Sequence, residues 1–427
     1  VKLFWQHIIS LLKNFFKKGF FHLLSANVLI QLFAFASQLF VAGILSPDDV
    51  GRIKIIQTYF AIFSIIAGLG FNSSTLKICS ETRTEEETAK YFINGFLFTI
   101  ISSTSVYLTI IILNHFRIFS TDKLITALIP IGLFPLISNS LFSVLMSYFQ
   151  AKKSIKLLSK HTILNKILSI IGIIVLSYYF GIKGYYVAFN LSLILMVIVA
   201  FFSARKNHPF TFNFDKQTFS EHWKYARSST FANIVSEISA YVDILLISFL
   251  IKDMQQIGYY SLALTTVTML RLFPSTAHQI TTPYFSSLQS NKEEFIKLFK
   301  TYNRLLLLII GISLILFILV MPTLVDWIFS QKYHDSIPFL LPLSIGWSIR
   351  SSTYLQSAAI FGLGKIHYNA YTALCALIGN IIIYPIAICF WGLMGAAYAS
   401  ISSGIIIWIA SKYYLSMAVR KTRWEAA

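Results

Sequence analysis

The chain has 427 residues, of which 56% are hydrophobic, 16% aromatic and only 12% charged, and its mean hydropathy is +0.69. Soluble domains carry about 25% charged residues, so a water-soluble enzyme is excluded, and 38 Phe with 22 Tyr exclude a disordered chain. The charge is lopsided, 35 Lys+Arg against 17 Asp+Glu for a formal +18. Such an excess fits either nucleic acid, with basic residues beside aromatic platforms on polar segments, or a polytopic membrane protein with basic residues in alternate loops.

Along the chain, residues 1–21 read as a basic interfacial helix. At 100° per residue Lys2, Gln6, Lys13 and Lys17 fall in one arc, while Phe4, Ile8, Leu11, Phe15 and Phe16 lie largely elsewhere; such a helix rests on anionic lipid headgroups. The first apolar run is long and lacks a small-residue cleavage site, so no cleavable signal peptide is expected. Twelve apolar stretches follow, near 22–45, 52–71, 91–114, 124–149, 157–180, 184–204, 225–250, 257–281, 303–329, 338–361, 366–390 and 394–417. Each approaches the roughly 20 residues that a helix needs to cross a bilayer. They are continuously apolar and do not alternate with period two, which selects helices over a barrel. The expected class is an all-α integral membrane protein with about twelve transmembrane helices. No segment between the spans is long enough for an inserted soluble domain.

Lys and Arg in the short loops set the orientation. Twenty-two fall on the side of the two termini and seven on the other, so both termini are expected in the cytoplasm. Most of the +18 is thus a topology signal, and no nucleic-acid partner is expected. Cys79, Cys375 and Cys389 have no metal-site or redox spacing and read as small core residues, with no metal or cofactor implied.

The chain also repeats internally. Residues 149–190 lie over 360–401 at a constant offset of 211, which sets Ala151-Lys152-Lys153-Ser154-Ile155-Lys156 on Gly362-Leu363-Gly364-Lys365-Ile366-His367. The same offset sets Gly181-x-x-Gly184-x-x-x-Ala188 on Gly392-x-x-Gly395-x-x-x-Ala399. Asp48-Asp49-Val50-Gly51 and Gln255-Gln256-Ile257-Gly258 correspond at an offset of 207. The domains expected are a six-helix bundle over 22–204, a cytoplasmic linker over 205–224, a second six-helix bundle over 225–417 and a cytoplasmic tail over 418–427. With an even number of helices per half, the repeat is parallel, and substrate sites in such transporters lie near midplane between the halves.

These landmarks carry a family resemblance. Ser46-Pro47-Asp48-Asp49-Val50-Gly51 and Gly68-Leu69-Gly70-Phe71-Asn72-Ser73-Ser74 resemble the polysaccharide-transporter branch of the MATE-like flippase superfamily. Val242-Asp243-Ile244-Leu245-Leu246, Ile257-Gly258-Tyr259-Tyr260-Ser261-Leu262-Ala263, Pro283-Tyr284-Phe285-Ser286 and Gly392-Leu393-Met394-Gly395-Ala396-Ala397 are similar to later stretches of the same family. The resemblance implies a MATE-like fold and the activity of O-antigen flippases. These carry an undecaprenyl-pyrophosphate-linked oligosaccharide from the cytoplasmic to the periplasmic leaflet of the bacterial inner membrane. It also implies a polysaccharide polymerase and a chain-length regulator as partners. The peptidoglycan-precursor flippases of the superfamily have an extra pair of C-terminal helices, which a twelve-helix chain would lack.

Ionisable side chains inside apolar spans cost about 2.5–3.5 kcal/mol each on the insertion scale and call for a reason. Lys166, Glu237, Arg271 and Arg350 fall near the middle of their spans. The three cations suit a pyrophosphate, Arg bidentately and Lys as a point charge; alternatively, Lys166 or Arg271 forms a structural ion pair with Glu237. His278 shares a face with Arg271. Asp243 lies about 9 Å beyond Glu237 at 1.5 Å per residue, as a second proton or ion site or as a structural residue. Gln31 and Gln38 share a helix face, as sugar ligands or as interhelical hydrogen-bonders. Lys160 reads as a residue snorkelling to the cytoplasmic interface.

Energy supply is narrowed by the motifs. Gly362-Leu363-Gly364-Lys365 lacks the length and the Ser/Thr of a phosphate-binding loop, and neither H-E-x-x-H nor G-x-S-x-G occurs. No catalytic residues are expected; alternating access coupled to an ion gradient is, with Glu237, Asp243 and His278 as candidate coupling groups. Two other readings compete. A MATE-type drug or cation antiporter calls for an acidic, aromatic cavity. A membrane-embedded polysaccharide polymerase or transferase calls for a sizeable catalytic loop.

Overall fold

The computed structural model describes residues 33, 35–81, 83–205, 215–288, 291–422 and 424. The interfacial helix expected over 1–21, Gln31 and the rest of the first half of the first span, residues 206–214 of the expected linker and the end of the tail lie outside the described residues. Every regular element among the described residues is helical, and seven helices are long and apolar enough to cross a membrane. Packing groups residues 40–258 into one compact unit and the described part of 1–39 with 259–427 into another.

A short apolar helix, α1 (Phe35–Ile44), leads into the first unit and on to α2 (Pro47–Gly68). The Ser46 hydroxyl accepts the Asp49 N–H at 3.2 Å, Pro47 occupies the first turn where no N–H is needed, and Asp48 and Asp49 complement the helix dipole. The chain then breaks at Leu69 (φ 41°) and Gly70 (φ 70°) before α3 (Phe71–Cys79). Thr84 and Glu87 form a capping box at the start of α4 (Glu85–His115).

Two prolines shape the next pair of helices. Pro130, within α5 (Lys123–Leu133), and Pro135, opening α6 (Pro135–Ala151), each leave the carbonyl four residues earlier without its helical donor. The freed carbonyls belong to Thr126 and Ile131. The Asn114 amide donates to the first at 2.9 Å and the Asn190 amide to the second at 2.8 Å. Both asparagines come from neighbouring long helices, α4 and α7 (Ile155–Arg205), and so keep the apolar interior free of orphan backbone groups. The unit's core is Phe71, Phe92, Phe96, Leu145, Tyr148 and Phe149. Helix α8 (Lys216–Leu250) packs on α2, α3 and α4; its first turns include residues 216–224 of the expected linker.

Helix α9 (Met254–Val267) runs into the second unit, followed by a 3-10 turn over Thr268–Arg271 and by α10 (Leu272–Ser287), α11 (Lys292–Phe329) and a 3-10 segment over Ser330–Ser336. Helices α12 (Ile337–Ser351), α13 (Tyr354–Gly362) and α14 (His367–Lys421) complete it. Its core gathers Phe285, Phe295, Leu355, Ile360 and Tyr368, with Trp424 against them.

The sequence landmarks repeat as geometry. Helix α7 bends at Gly181 (φ 58°, ψ −142°) and α14 at Gly392 (φ 57°, ψ −143°), both at points between expected spans. That backbone conformation is open only to glycine. Beside each bend a second glycine lets backbone meet backbone: a Cβ on Gly184 would lie 1.8 Å from the Leu176 carbonyl, and one on Gly395 1.9 Å from that of Ala387. The turns at the other ends of these helices match as well. Lys153 (φ 54°) and Gly364 (φ 71°) are left-handed. The next N–H reaches back five residues in both, Ser154 to Phe149 at 2.8 Å and Lys365 to Ile360 at 3.1 Å, a Schellman closure. Finally, Gly51 abuts Gly258, where a Cβ on Gly51 would stand 2.9 Å from the Gly258 nitrogen.

Gly181→Ala and Gly392→Ala should each destabilise the protein by about 1–3 kcal/mol, read as a lower melting temperature in detergent. Lys153→Gly should instead raise it, since Gly adopts the left-handed turn at no steric cost. Unchanged melting in both glycine variants would refute the role of the bends.

Candidate substrate site

The residues singled out in the sequence distribute over both units. In the first, Lys166 is exposed on α7, and Glu237 and Asp243 are half-buried on α8; the Asp243 carboxylate accepts the N–H of Ile244 at 2.8 Å. In the second unit Arg271 is exposed at the end of the 3-10 turn, and Arg350 is half-buried near the end of α12, its guanidinium 5.4 Å from the Trp347 ring centroid. The 3-10 turn packs on α12, so the elements bearing these two arginines are neighbours. His278, on α10, meets the Tyr354 ring edge-on at 6.3 Å, across the packed pair α10 and α13. Gln38 is exposed on α1. Among the described residues no group of three His, Cys, Asp or Glu is arranged to hold a metal ion.

Arg271 owes its place to a local feature. The α-helix tightens into a 3-10 turn at Thr268–Arg271 before α10 resumes. Such mid-helix 3-10 stretches often mark hinges or strained points. Arg350 lies two residues before Ser352, where α12 stops, and Trp347, one turn earlier, offers its face to the guanidinium.

The residue that sequence reasoning missed is His222. It is fully buried where the first turns of α8 dock on α3 and α4, within about 6 Å of the Phe71, Tyr91 and Phe98 rings. Its Nε2–H donates to the Tyr91 carbonyl at 3.0 Å, which leaves Nδ1 to accept the Ser74 hydroxyl at 2.8 Å. Gly95 makes room for the ring. Charges surround this plug. Arg83 joins Glu81 at 3.0 Å and Glu221 at 3.3 Å and covers the Tyr91 ring at 4.3 Å, and the Tyr91 hydroxyl donates to Glu221 at 2.7 Å. Lys90 pairs with Asp215 at 2.7 Å, the residue that caps α8. A His among Glu221, Trp223 and Lys224 in a polar stretch gives no sign in sequence of full burial; only the docking of the helix creates it.

A helical chain with seven helices, among the described residues, long and apolar enough to cross a membrane belongs to the class of multi-pass membrane proteins. The chain belongs to the polysaccharide biosynthesis protein family, whose sequence profile matches residues 40–338. It is 23% identical over 409 residues to the capsular polysaccharide biosynthesis protein CapF of Staphylococcus aureus, covering 93% of this chain and 98% of CapF. Its fold is that of the lipid II flippase MurJ in an inward closed conformation (TM-score 0.76, 19% identity, 93% of this chain and 87% of that one). It is equally that of an inward-facing multidrug resistance MATE family transporter of the MOP superfamily (TM-score 0.71, 14% identity, 92% and 96%).

Burial pulls the His222 imidazole down to about 4, the Tyr91 hydrogen bond opposing it only in part. Because the folded value lies below the ordinary 6.5, the neutral form belongs to the docked state; stability is full above pH 6.5 and is lost as pH falls towards 4. The difference is worth on the order of 3 kcal/mol. Melting temperature should therefore fall between pH 6.5 and 4, before Glu81, Glu87 and Asp215 contribute: their lowered carboxyl values place their loss of stability at lower pH. His222→Asn should flatten this slope, and an unchanged slope would assign it elsewhere.

Proposed function

We propose that the chain is a flippase for an undecaprenyl-pyrophosphate-linked oligosaccharide of a surface polysaccharide, of O-antigen or related type. It would act by alternating access in the bacterial cytoplasmic membrane, with about twelve spans in two six-helix bundles and both termini in the cytoplasm. The observation that carries the reading is a transporter fold in a chain of the polysaccharide biosynthesis family. A polysaccharide is assembled on a lipid carrier on one side of the membrane and used on the other, so a transporter in that process acts on the carrier-linked glycan.

The pyrophosphate is doubly anionic and must cross an apolar core. Lys166, Arg271 and Arg350 are the groups assigned to it, since guanidinium and ammonium replace part of the lost hydration. The adjacency of the Arg271 and Arg350 elements within one unit supports a shared role for these two. Glu237, with Asp243 and His278 as further candidates, is assigned to ion coupling: a carboxylate whose surroundings alternate between water and protein exchanges its proton as access switches. Gln31 and Gln38 are assigned to sugar hydroxyls. The multidrug transporter likeness favours a cation antiporter as the second reading. Three cations against Glu237 among the mid-span groups weigh against it.

Deleting the gene in the source organism should accumulate one carrier-linked repeat unit on the cytoplasmic face, and restoring the chain should clear it. Unaltered surface glycan would overturn the reading. Arg271→Ala and Arg350→Ala should each lower transport about tenfold or more, the worth of one charge-assisted hydrogen bond, at normal protein abundance. In proteoliposomes, flipping should respond to a pH gradient and lose that response in Glu237→Gln. Indifference to both would remove the proton from the mechanism.

A further inference from the structure

The break between α2 and α3 encloses a cavity that none of the assigned residues uses. It has a volume of about 140 Å³ and lies wholly within the first unit. Ser64 on α2, Asn72 on α3, Asn139, Ser140 and Ser143 on α6, and Asn233 on α8 supply its polar lining, and none of the described lining residues is charged. Gly68 and Gly70 form the wall at the break. Asn233 is the exposed member of this polar lining.

Two independent observations mark it as a ligand site. First, α3 begins here at Gly70 without any side-chain cap, so the N–H groups of its first turn are available as donors. Second, Ser140 is only 4% exposed, lines the cavity, and its hydroxyl oxygen has no hydrogen-bond partner among the described residues. A buried hydroxyl without a partner costs about 1–3 kcal/mol. Other buried polar atoms of the unit, among them those of Thr75, Ser177 and Tyr186, also lack a partner, but of these groups Ser140 is the one that lines this cavity, so a molecule entering it would supply the missing hydrogen bond.

The lining determines what enters. A divalent cation needs carboxylates, and none is present among the described lining residues. A pyrophosphate needs cations, and those lie elsewhere. Three primary amides and three hydroxyls offer donors and acceptors side by side without net charge, which matches the vicinal hydroxyl and acetamido groups of a sugar. We propose that this cavity is a saccharide subsite for the first sugars of the carrier-linked glycan. The proposal rests on the flippase reading and deepens it. By the expected topology the break closes the second span on its cytoplasmic side, where the glycan is presented. The neutral subsite then reads the sugar while the cationic residues hold the phosphates.

The test uses the full chain in lipid nanodiscs and two synthetic probes, undecaprenyl pyrophosphate bare and bearing one N-acetylglucosamine, with binding measured by native mass spectrometry. The wild type should bind the sugar-bearing probe about tenfold more tightly, the worth of one or two added hydrogen bonds. Asn139→Ala and Ser140→Ala should bring that ratio close to one without weakening the bare probe, and their melting temperatures show whether each variant is folded. Asn139→Ser serves as the milder replacement should Asn139→Ala unfold. A wild-type ratio of one, or folded variants that keep the wild-type ratio, overturns the subsite while leaving the flippase reading intact. Folded variants that lose both probes equally make the cavity a general lipid site and overturn its saccharide assignment. A wild type that binds neither probe overturns the flippase reading and the subsite with it.

Discussion

A backbone placed in hydrocarbon must find all its hydrogen-bond partners within the protein. Continuous helices meet that requirement automatically; interrupted ones do not. This chain interrupts its helices repeatedly, at Gly68–Gly70, at Pro130 and Pro135, at Gly181, through the 3-10 turn ending at Arg271, and at Gly392. Each interruption shown in detail is answered. Asn114 and Asn190 serve the carbonyls that the prolines free, and the Schellman closures at Ser154 and Lys365 serve helix ends. Ser140, beside the α2–α3 break, is a buried hydroxyl left without a partner, and it lines the cavity proposed as a saccharide subsite.

The interruptions also place the chemistry. Arg271 sits at the end of a 3-10 turn and Arg350 next to the end of a helix. In a bundle of straight helices the same residues would lie along continuous apolar faces, where an ionisable group is costly. The His222 plug shows the complementary strategy: one polar ring, fully hydrogen-bonded, fixes the start of α8 against α3 and α4 with no charge buried.

Much of this was legible in the sequence. The Gly181 and Gly392 motifs marked two equivalent points of an internal repeat, and the structure makes each a bend in a conformation reserved for glycine. Ser46-Pro47-Asp48-Asp49 stood out as a family landmark before a span expected from about 52, and the structure starts the helix there, at Pro47 with Ser46 as its cap. Lys166, Arg271, Arg350 and Glu237 stood out because charge in an apolar run is conspicuous. Asn114, Ser140 and His222 did not stand out, since Asn, Ser and His are ordinary residues until their partners are known.

Composition and the spacing of apolar runs determined by themselves that the chain is helical and belongs in a membrane, because bilayer thickness and backbone satisfaction leave no other solution at this hydrophobicity. The offset of 211 between Gly181 and Gly392 likewise determined that one motif occurs twice. Tertiary structure alone decided which asparagines answer which proline, that the polar start of α8 buries a histidine, and that α2, α3, α6 and α8 enclose an uncharged polar cavity. Those outcomes depend on residues far apart in the chain meeting at hydrogen-bond distance, and no local pattern encodes such a meeting.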